Sequence, residues 1–489
     1  MPALMWFRSD LRISDNTALY HACRSADEGV IAVFALCPGQ WSDHGWGPMK
    51  VDLVLCNLRA LSRSLSELNI PLMLVESPRF AAVPGKLLDI ARRHKCSGLF
   101  FNREYEVNER RRDAEARRLF EKTGLTVHAF TDQTILDVSA LRTTSGNWYT
   151  VFTPFRRKWL ETVKEDGPLP ICPKPRKQRP TAMRPDPVPG SVGGFARSAH
   201  ANLWPGGEKE AQKRLRLFIS RRIGDYHVKR DLPAESGTSE LSPYLTCGAL
   251  SARQCLVAAL GANDGRLDAG GKGAITWVSE LIWREFYRHI LIGFPQVCMN
   301  RPFRLETDRL MWREDEAQFQ AWCEGRTGVP IVDAGMRQLA ETGWMHNRVR
   351  MIVAMFLTKD LLIDWRWGER HFMQHLVDGD FASNNGGWQW SASTGTDAAP
   401  YFRIFNPFNQ SKRYDPDGEY IRRFVPELAD APPRALHDAD GIKSLGSRYS
   451  GLSLDRAASR ARVLSAFKNL RRQKRPERAN NLLSGGDAI

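Results

Sequence analysis

Five short apolar runs, at residues 4–7, 30–36, 72–75, 98–101 and 125–130, alternate with longer segments whose apolar residues recur at helical spacing, 51–68 being the clearest. Strand, helix, strand in that order predicts a parallel sheet with helices on both faces, an α/β domain. Ligands of such sheets bind beyond the carboxyl ends of the strands. The loops RSDLR at 8–12 and NREYEVNER at 102–110 fall at those ends. No G-x-G-x-x-G follows the first run, which argues against a dinucleotide held in Rossmann style. The Gly-Gly-Lys-Gly at 270–273 lacks the upstream Gly and the following Ser or Thr of a phosphate loop.

From Glu208 onward the pattern changes to long amphipathic helices with few strand signals. Between 160 and 205 the chain is rich in Pro, Lys, Arg and Gly, which denies it helix and inner-strand hydrogen bonds and predicts an extended, solvated surface connector. At 489 residues the chain is too long for one ordinary core. The expected organisation is an α/β domain over 1–131, a connector over 132–205, an all-α domain over 206–470 and a disordered polar tail over 471–489. A net charge of +15 favours a polyanionic partner without choosing among DNA, RNA and an anionic membrane. The nine cysteines form no C-x-x-C pair and no His-linked ligand spacing, which argues against disulfides and zinc and for a reducing cytoplasm. No signal pattern and no bilayer-length apolar run is visible.

The chemistry concentrates in the helical half. The stretch 378–407, DGDFASNNGGWQWSASTGTDAAPYFRIFNP, sets a Gly pair beside Trp-x-Trp. Backbone can approach a flat ligand closely there while large rings pack near it, although turn and core readings of the same residues stand equally. In WVSELIWREFYRH at 277–289, Glu280, Trp283, Arg284 and Tyr287 fall at i, i+3, i+4 and i+7, on one helix face. A carboxylate and an Arg among aromatics is odd for a core, while a surface helix with an internal ion pair is the plain alternative. In GWMHNRVRM at 343–351, Asn347 and Met351 stack at i, i+4. In SGTSELSPYLTCGALSARQ at 236–254, the hydroxyls of Thr238, Ser239 and Ser242 precede a helix start, a cradle for phosphate or a simple cap.

These stretches, together with MWFRSDLRISDNTAL at 5–19, closely resemble the photolyase/cryptochrome family, and within it the bacterial class I photolyases that act on cyclobutane pyrimidine dimers. The likeness runs from the N-terminus to about residue 430. It implies an antenna domain followed by a helical FAD-binding domain, in a monomeric cytoplasmic enzyme. The implied reaction is light-driven dimer repair by electron transfer from excited FADH⁻, with UV-damaged DNA, double- or single-stranded, as partner. A cryptochrome-type photoreceptor without repair is the alternative. Asn384, where plant cryptochromes carry Asp and animal ones Cys, speaks against it.

By the same resemblance, FAD contacts fall on Tyr226, Thr238, Ser239, Glu240, Leu241, Ser242, Trp277, Arg284, Arg350, Asp378, Gly379, Asp380 and Asn384. The dimer pocket falls on Glu280, Trp283, Asn347, Met351 and Trp390, where (6-4) photolyases carry His at the Asn347 and Met351 positions. Trp388, Trp365 and Trp312 match the family's electron relay from flavin to surface. Arg230, Arg348 and Arg403 are candidates for phosphate contacts beside a lesion rotated out of the duplex, as the family is known to do. The antenna contacts match His44, Asn108, Glu109 and Cys298. Met299 stands where the family usually has Lys, so 5,10-methenyltetrahydrofolate is implied while 8-hydroxydeazaflavin, another flavin or an empty site stays open.

Overall fold

The computed structural model describes residues 1–472 apart from 447, 448, 450 and 453, and the side chains of 471 and 472 lie outside that description. Most of the predicted tail therefore lies outside the described residues. Five strands, β1 (Ala3–Phe7), β2 (Val30–Leu36), β3 (Leu72–Glu76), β4 (Gly98–Asn102) and β5 (Thr126–Phe130), pair in parallel in the order β3-β2-β1-β4-β5. The crossovers carry helices α1 (Thr17–Ser25), α2 (Pro48–Glu67), α3 (Val83–Arg93) and α4 (Val107–Lys122). Each residue of β1 is buried, with Met5 registered between Ala32 and Phe100. The central strand is therefore continuously apolar, as a parallel strand covered on both faces must be.

Strand order reverses at β1, and the crevice beyond its carboxyl end is where such a sheet would receive a ligand. Here much of that crevice is a docking surface. Asp15 and Asp132 are buried against Arg12 and Arg253, with Arg12 2.5 Å from Asp132, Arg253 3.0 Å from Asp15 and 2.8 Å from Asp132. Burial opposes the charge on Asp132, but the two guanidiniums outweigh it and hold the carboxyl far below its ordinary range. Arg253 belongs to the helical half, so part of the RSDLR loop packs against that half, and a cavity of about 80 Å³ lined by Trp6, Arg8, Phe34 and Trp41 lies at the strand ends.

The connector is extended and largely exposed, and it is also pinned to the sheet. Gln178 donates its backbone N–H to Leu68 and accepts from Val30 through its side chain. Asp186 donates to Leu72 O and accepts from Leu74 N, covering the open edge of β3. The interval 132–205 also contains a helix, α5 (Phe152–Asp166).

The helical half positions its site with α6 (Ser242–Cys247), α7 (Ala252–Gly261), α8 (Lys272–Gly293), α9 (Asn347–Met355), α10 (Trp365–His375), α11 (Phe381–Ala392) and α12 (Arg456–Arg472). The Asn-Asn-Gly-Gly sequence is the interior of α11, not a turn. Gly-Gly costs a helix about 1 kcal/mol per residue, and helix packing explains the first of the pair. A Cβ on Gly386 would stand 2.2 Å from the Tyr287 ring of α8. On the other side, a Cβ on Gly368 of α10 would stand 2.1 Å from Trp388. Glycines at these two crossings let α8, α11 and α10 approach closely. The residues of α8 belong to the apolar cluster that begins in the sheet, whereas α9, α10 and Trp388 of α11 belong to a second cluster around Trp322. The site lies along the seam between them.

Candidate cofactor and lesion site

A cavity of about 470 Å³ opens along that seam. Six residues of α8 face it: Trp277, Glu280, Leu281, Trp283, Arg284 and Tyr287. The single face expected from their spacing is therefore real, and it is neither core nor open surface. Opposite lie the 238–242 loop with Tyr226 and Arg230, then Asn347, Arg350 and Met351 of α9, and Gly387 and Trp390 of α11. A neighbouring cavity of about 130 Å³ shares Asn347, Arg350, Met351, Asp378 and Asp380, and adds Asn384 and Trp388. Every residue that resemblance assigned to FAD or the dimer lines one of these two spaces except Gly379, which lines the domain cleft described below.

The walls are held from behind. Trp283 is stacked flat on Phe152 of α5, ring centroids 3.6 Å apart and planes within 6°, which fixes the indole's orientation. Arg350 pairs with Asp378 at 2.8 Å and donates to Met345 O. Asp380 caps α11 through Ser383 N and pairs with Arg288 at 2.6 Å. Burial works against the Asp380 charge, yet Arg288 and Arg284 prevail and keep the carboxyl well below its usual range. Lys50, from the α/β half, donates to Gly379 O at 2.6 Å, and Thr246 donates to Asp378 O, so the turn between the two aspartates is tied from both sides. Asn384 donates to Glu369 O at 3.0 Å, and burial pushes the Glu369 carboxyl up to about 7.

A flat polyanionic cofactor such as FAD fits these residues. The wall carries three hydroxyls beside the start of α6 for phosphate and the Arg350–Asp378 pair for polar ring or ribityl atoms. A Cβ built at Gly387 would meet nothing within 4 Å, so this glycine leaves its stretch of wall open.

The second large cavity, about 570 Å³, lies in the cleft between the two halves and brings together His44, Asn108, Glu109 and Cys298. Asn108 is 3.1 Å from His44 Nε2, and His44 Nδ1 is 3.5 Å from Glu109. Burial, with Lys50 nearby, lowers His44 to about 4, and burial beside Glu106 and Glu104 raises Glu109 to about 8. Glu109 Oε2 is buried without a partner. Leu245, Thr246, Arg284 and Asp380 line both this cavity and the seam cavity and so form the partition between them.

Trp388 and Trp365 are buried in the second apolar cluster, and Trp312 is half-buried between it and the cluster under α12. The indole N–H of Trp312 is buried without a partner, so the outer member of the three is not a freely exposed ring. The three arginines differ. Arg230 lines the cavity but is paired with Glu280 at 2.5 Å. Arg348 is paired with Asp231 at 2.8 Å and lies over Tyr414. Arg403 is exposed and outside the cavity wall.

Residues 3–176 match the family model described as DNA photolyase, and 277–469 match the FAD binding domain of DNA photolyase. A deoxyribodipyrimidine photo-lyase of Salmonella typhimurium is 48% identical over 437 residues, 89% of this chain and 91% of the relative. The chain belongs to the DNA photolyase family. Among solved structures, a bacterial class III photolyase from Agrobacterium tumefaciens superposes with a TM-score of 0.86 at 35% identity, covering 96% of this chain and 98% of that one. A cryptochrome from Synechocystis, at 27% identity, gives 0.83 over 95% and 99%.

Within this photolyase fold, several residues of the site escaped the sequence reading. Arg288 and Lys50 hold the Asp378–Asp380 turn, and Glu369 holds Asn384. Arg288 stands four residues after Arg284 on α8, a helical spacing that could have found it. Lys50 acts across 329 residues and Glu369 across 15, and no local pattern marks them. Among the described residues, no helix is long and apolar enough to cross a membrane.

Proposed function

We propose that this chain is a deoxyribodipyrimidine photo-lyase, which splits cyclobutane pyrimidine dimers in UV-damaged DNA under light, with FAD and the flipped-out dimer sharing the seam cavity. The observation that carries the reading is that the dimer set and all of the FAD set except Gly379 and Asn384 line one cavity. When bound and reduced, FAD supplies a light-excitable electron donor, so the protein need supply no covalent chemistry.

The chain's own tasks follow from the wall. Thr238, Ser239 and Ser242, with the start of α6, hold the diphosphate. Arg350, Asp378 and Asp380 orient the polar edge of the cofactor, and Asn384 offers a neutral amide that can hydrogen-bond without imposing charge. Trp283 and Trp390 pack against the flat, apolar side of the dimer and, with Met351, exclude water. Glu280 hydrogen-bonds the dimer's carbonyl and stabilises the charge that develops there, by the logic of a donor aimed in a dry site. Arg230, Arg348 and Arg403 neutralise phosphates beside the flipped-out lesion. Trp388, Trp365 and Trp312 form the route by which an electron enters from outside. In the domain cleft, His44, Asn108, Glu109 and Cys298 hold the antenna, for which 5,10-methenyltetrahydrofolate is our choice. A neutral imidazole and a carboxyl with one unpartnered oxygen suit a pterin's amide and amine groups.

The experiment is direct. Purified, reduced protein is mixed with UV-treated oligo(dT) and kept in light or in the dark. Thymine absorbance returns only in the light if the proposal holds, and equal traces reject it.

A further inference from the structure

The donor role given to Glu280 above requires a protonated carboxyl, yet the structure gives this residue a guanidinium partner. Arg230 Nη1 lies 2.5 Å from Glu280 Oε1, and the same arginine is a candidate for a phosphate contact. A carboxylate that accepts from Arg cannot at the same time donate to a carbonyl. Both roles are met if the arginine changes partner.

We infer that Arg230 exchanges Glu280 for a DNA phosphate when a dimer is seated, and that Glu280 takes up one proton from solvent as it is released. This rests on the proposed function.

The surroundings of Glu280 favour that outcome. From the 226–231 segment it faces Tyr226, Arg230 and Asp231, and burial beside these groups already raises its pKa, with Arg230 pulling the other way. From α9 comes Arg350, and from its own helix Arg284 and Tyr287; Arg348 and His346 stand by Asp231. Glu240, Asp378 and Asp380 complete the cavity's charged lining. Among the described residues, the other arginines at or beside the cavity wall are already committed. Arg348 is held by Asp231, Arg350 by Asp378, and Arg284 donates to the carbonyls of Gln133 and Leu245. None is free to replace Arg230. A carboxylate stripped of its only guanidinium and covered by an apolar dimer face is held in its neutral form. Arg230 itself keeps its charge and gains a phosphate oxygen, so no charge is left unpaired. The exchange also gives a reason for an acidic side chain on a surface that receives a polyanion.

The test is calorimetric titration of the FAD-loaded full chain with a duplex carrying one dimer, in phosphate and in Tris, from pH 6.5 to 8.5. The enthalpy difference between buffers should report uptake of a single proton, and Kd should rise by up to about tenfold per pH unit. Glu280→Gln, neutral throughout, should bind with one proton fewer and with a Kd that hardly moves with pH. Arg230→Gln should also lose the uptake, because its Glu280 is already neutral before binding. Uptake that persists in both variants, or none in the wild type, overturns the exchange. Light-dependent repair in the same samples separates the two ideas. Repair without proton uptake leaves the photo-lyase reading standing and removes this one, whereas neither dimer preference nor repair removes both.

Discussion

Asn384 spends one amide hydrogen on the main-chain carbonyl of Glu369 at 3.0 Å, with the Glu369 carboxyl oxygen 3.4 Å away. The two residues join the cavity wall to the domain cleft, since Asn384 lines the former and Glu369 the latter. Burial pushes Glu369 up to about 7, so a neutral amide meets a largely neutral acid on the acidic side of that value.

Replacing the amide by an acid should therefore be felt electrostatically. Asn384→Asp sets two carboxyls against each other beside the cofactor, which disfavours added negative charge there. The flavin midpoint potential should fall on the order of 30 mV, equivalent to about 1.4 kcal/mol for a two-electron couple. Dye-equilibrated redox titration measures it, and an unchanged potential would contradict the placement of Asn384.

The paired glycines of α11 should affect stability oppositely. Gly386→Ala drives a Cβ to 2.2 Å from the Tyr287 ring, an overpacking expected to cost about 1–3 kcal/mol and to loosen FAD. Gly387→Ala meets no protein atom, so the FAD-free protein should match or slightly exceed wild-type stability through helix propensity, while the added Cβ on the cavity wall loosens FAD without disturbing the helix crossing. Thermal melts of the two FAD-free variants, with flavin absorbance after gel filtration of the loaded ones, decide this. Equal melting would mean that α8 and α11 do not cross as described.

These glycines also mark what a sequence can reveal here. The five strands were legible because buried parallel strands are continuously apolar, and the working face of α8 because Glu280, Trp283, Arg284 and Tyr287 follow helical spacing. Asn-Asn-Gly-Gly carries turn chemistry and no apolar periodicity. Only the partner helix, whose Tyr287 lies some hundred residues earlier, explains why it is helical. The Arg230–Glu280 pair was equally hidden, since each residue had a separate expected role and nothing local links positions fifty apart. The connector's grip on β3 depends on Gln178 and Asp186, two ordinary polar residues in a proline-rich run.

The buried ion network between the halves should be essential to their docking. Removing Arg253 leaves Asp15 and Asp132 buried with one guanidinium fewer, and breaking a buried pair costs about 3–5 kcal/mol. Arg253→Met should lower the urea midpoint accordingly, while a replacement of exposed Arg118 should leave it within error. A midpoint unmoved by the Arg253 change would show that the halves do not depend on this contact.

Lys359 lies buried beneath α12, donating to Ala392 O and Ser393 Oγ and facing the Phe467 ring at 4.3 Å. Burial lowers it from 10.5 to about 7. Between those values the unfolded chain holds a proton that the folded chain has released, so stability rises with pH across the window. Relative to Lys359→Met, the wild type should gain up to about 4 kcal/mol between pH 7 and 10.5. Urea melts at several pH values test this, and parallel curves for the two proteins would refute it.

The account depends above all on FAD and dimer occupying neighbouring parts of one wall. Fluorescence of the reduced, FAD-loaded protein measures that proximity, because an electron acceptor held close by quenches the excited flavin. Adding an oligonucleotide with a single thymine dimer should diminish the emission, and the undamaged oligonucleotide should leave it unchanged. Identical emission with both, at concentrations where the damaged strand is bound, would contradict the shared cavity.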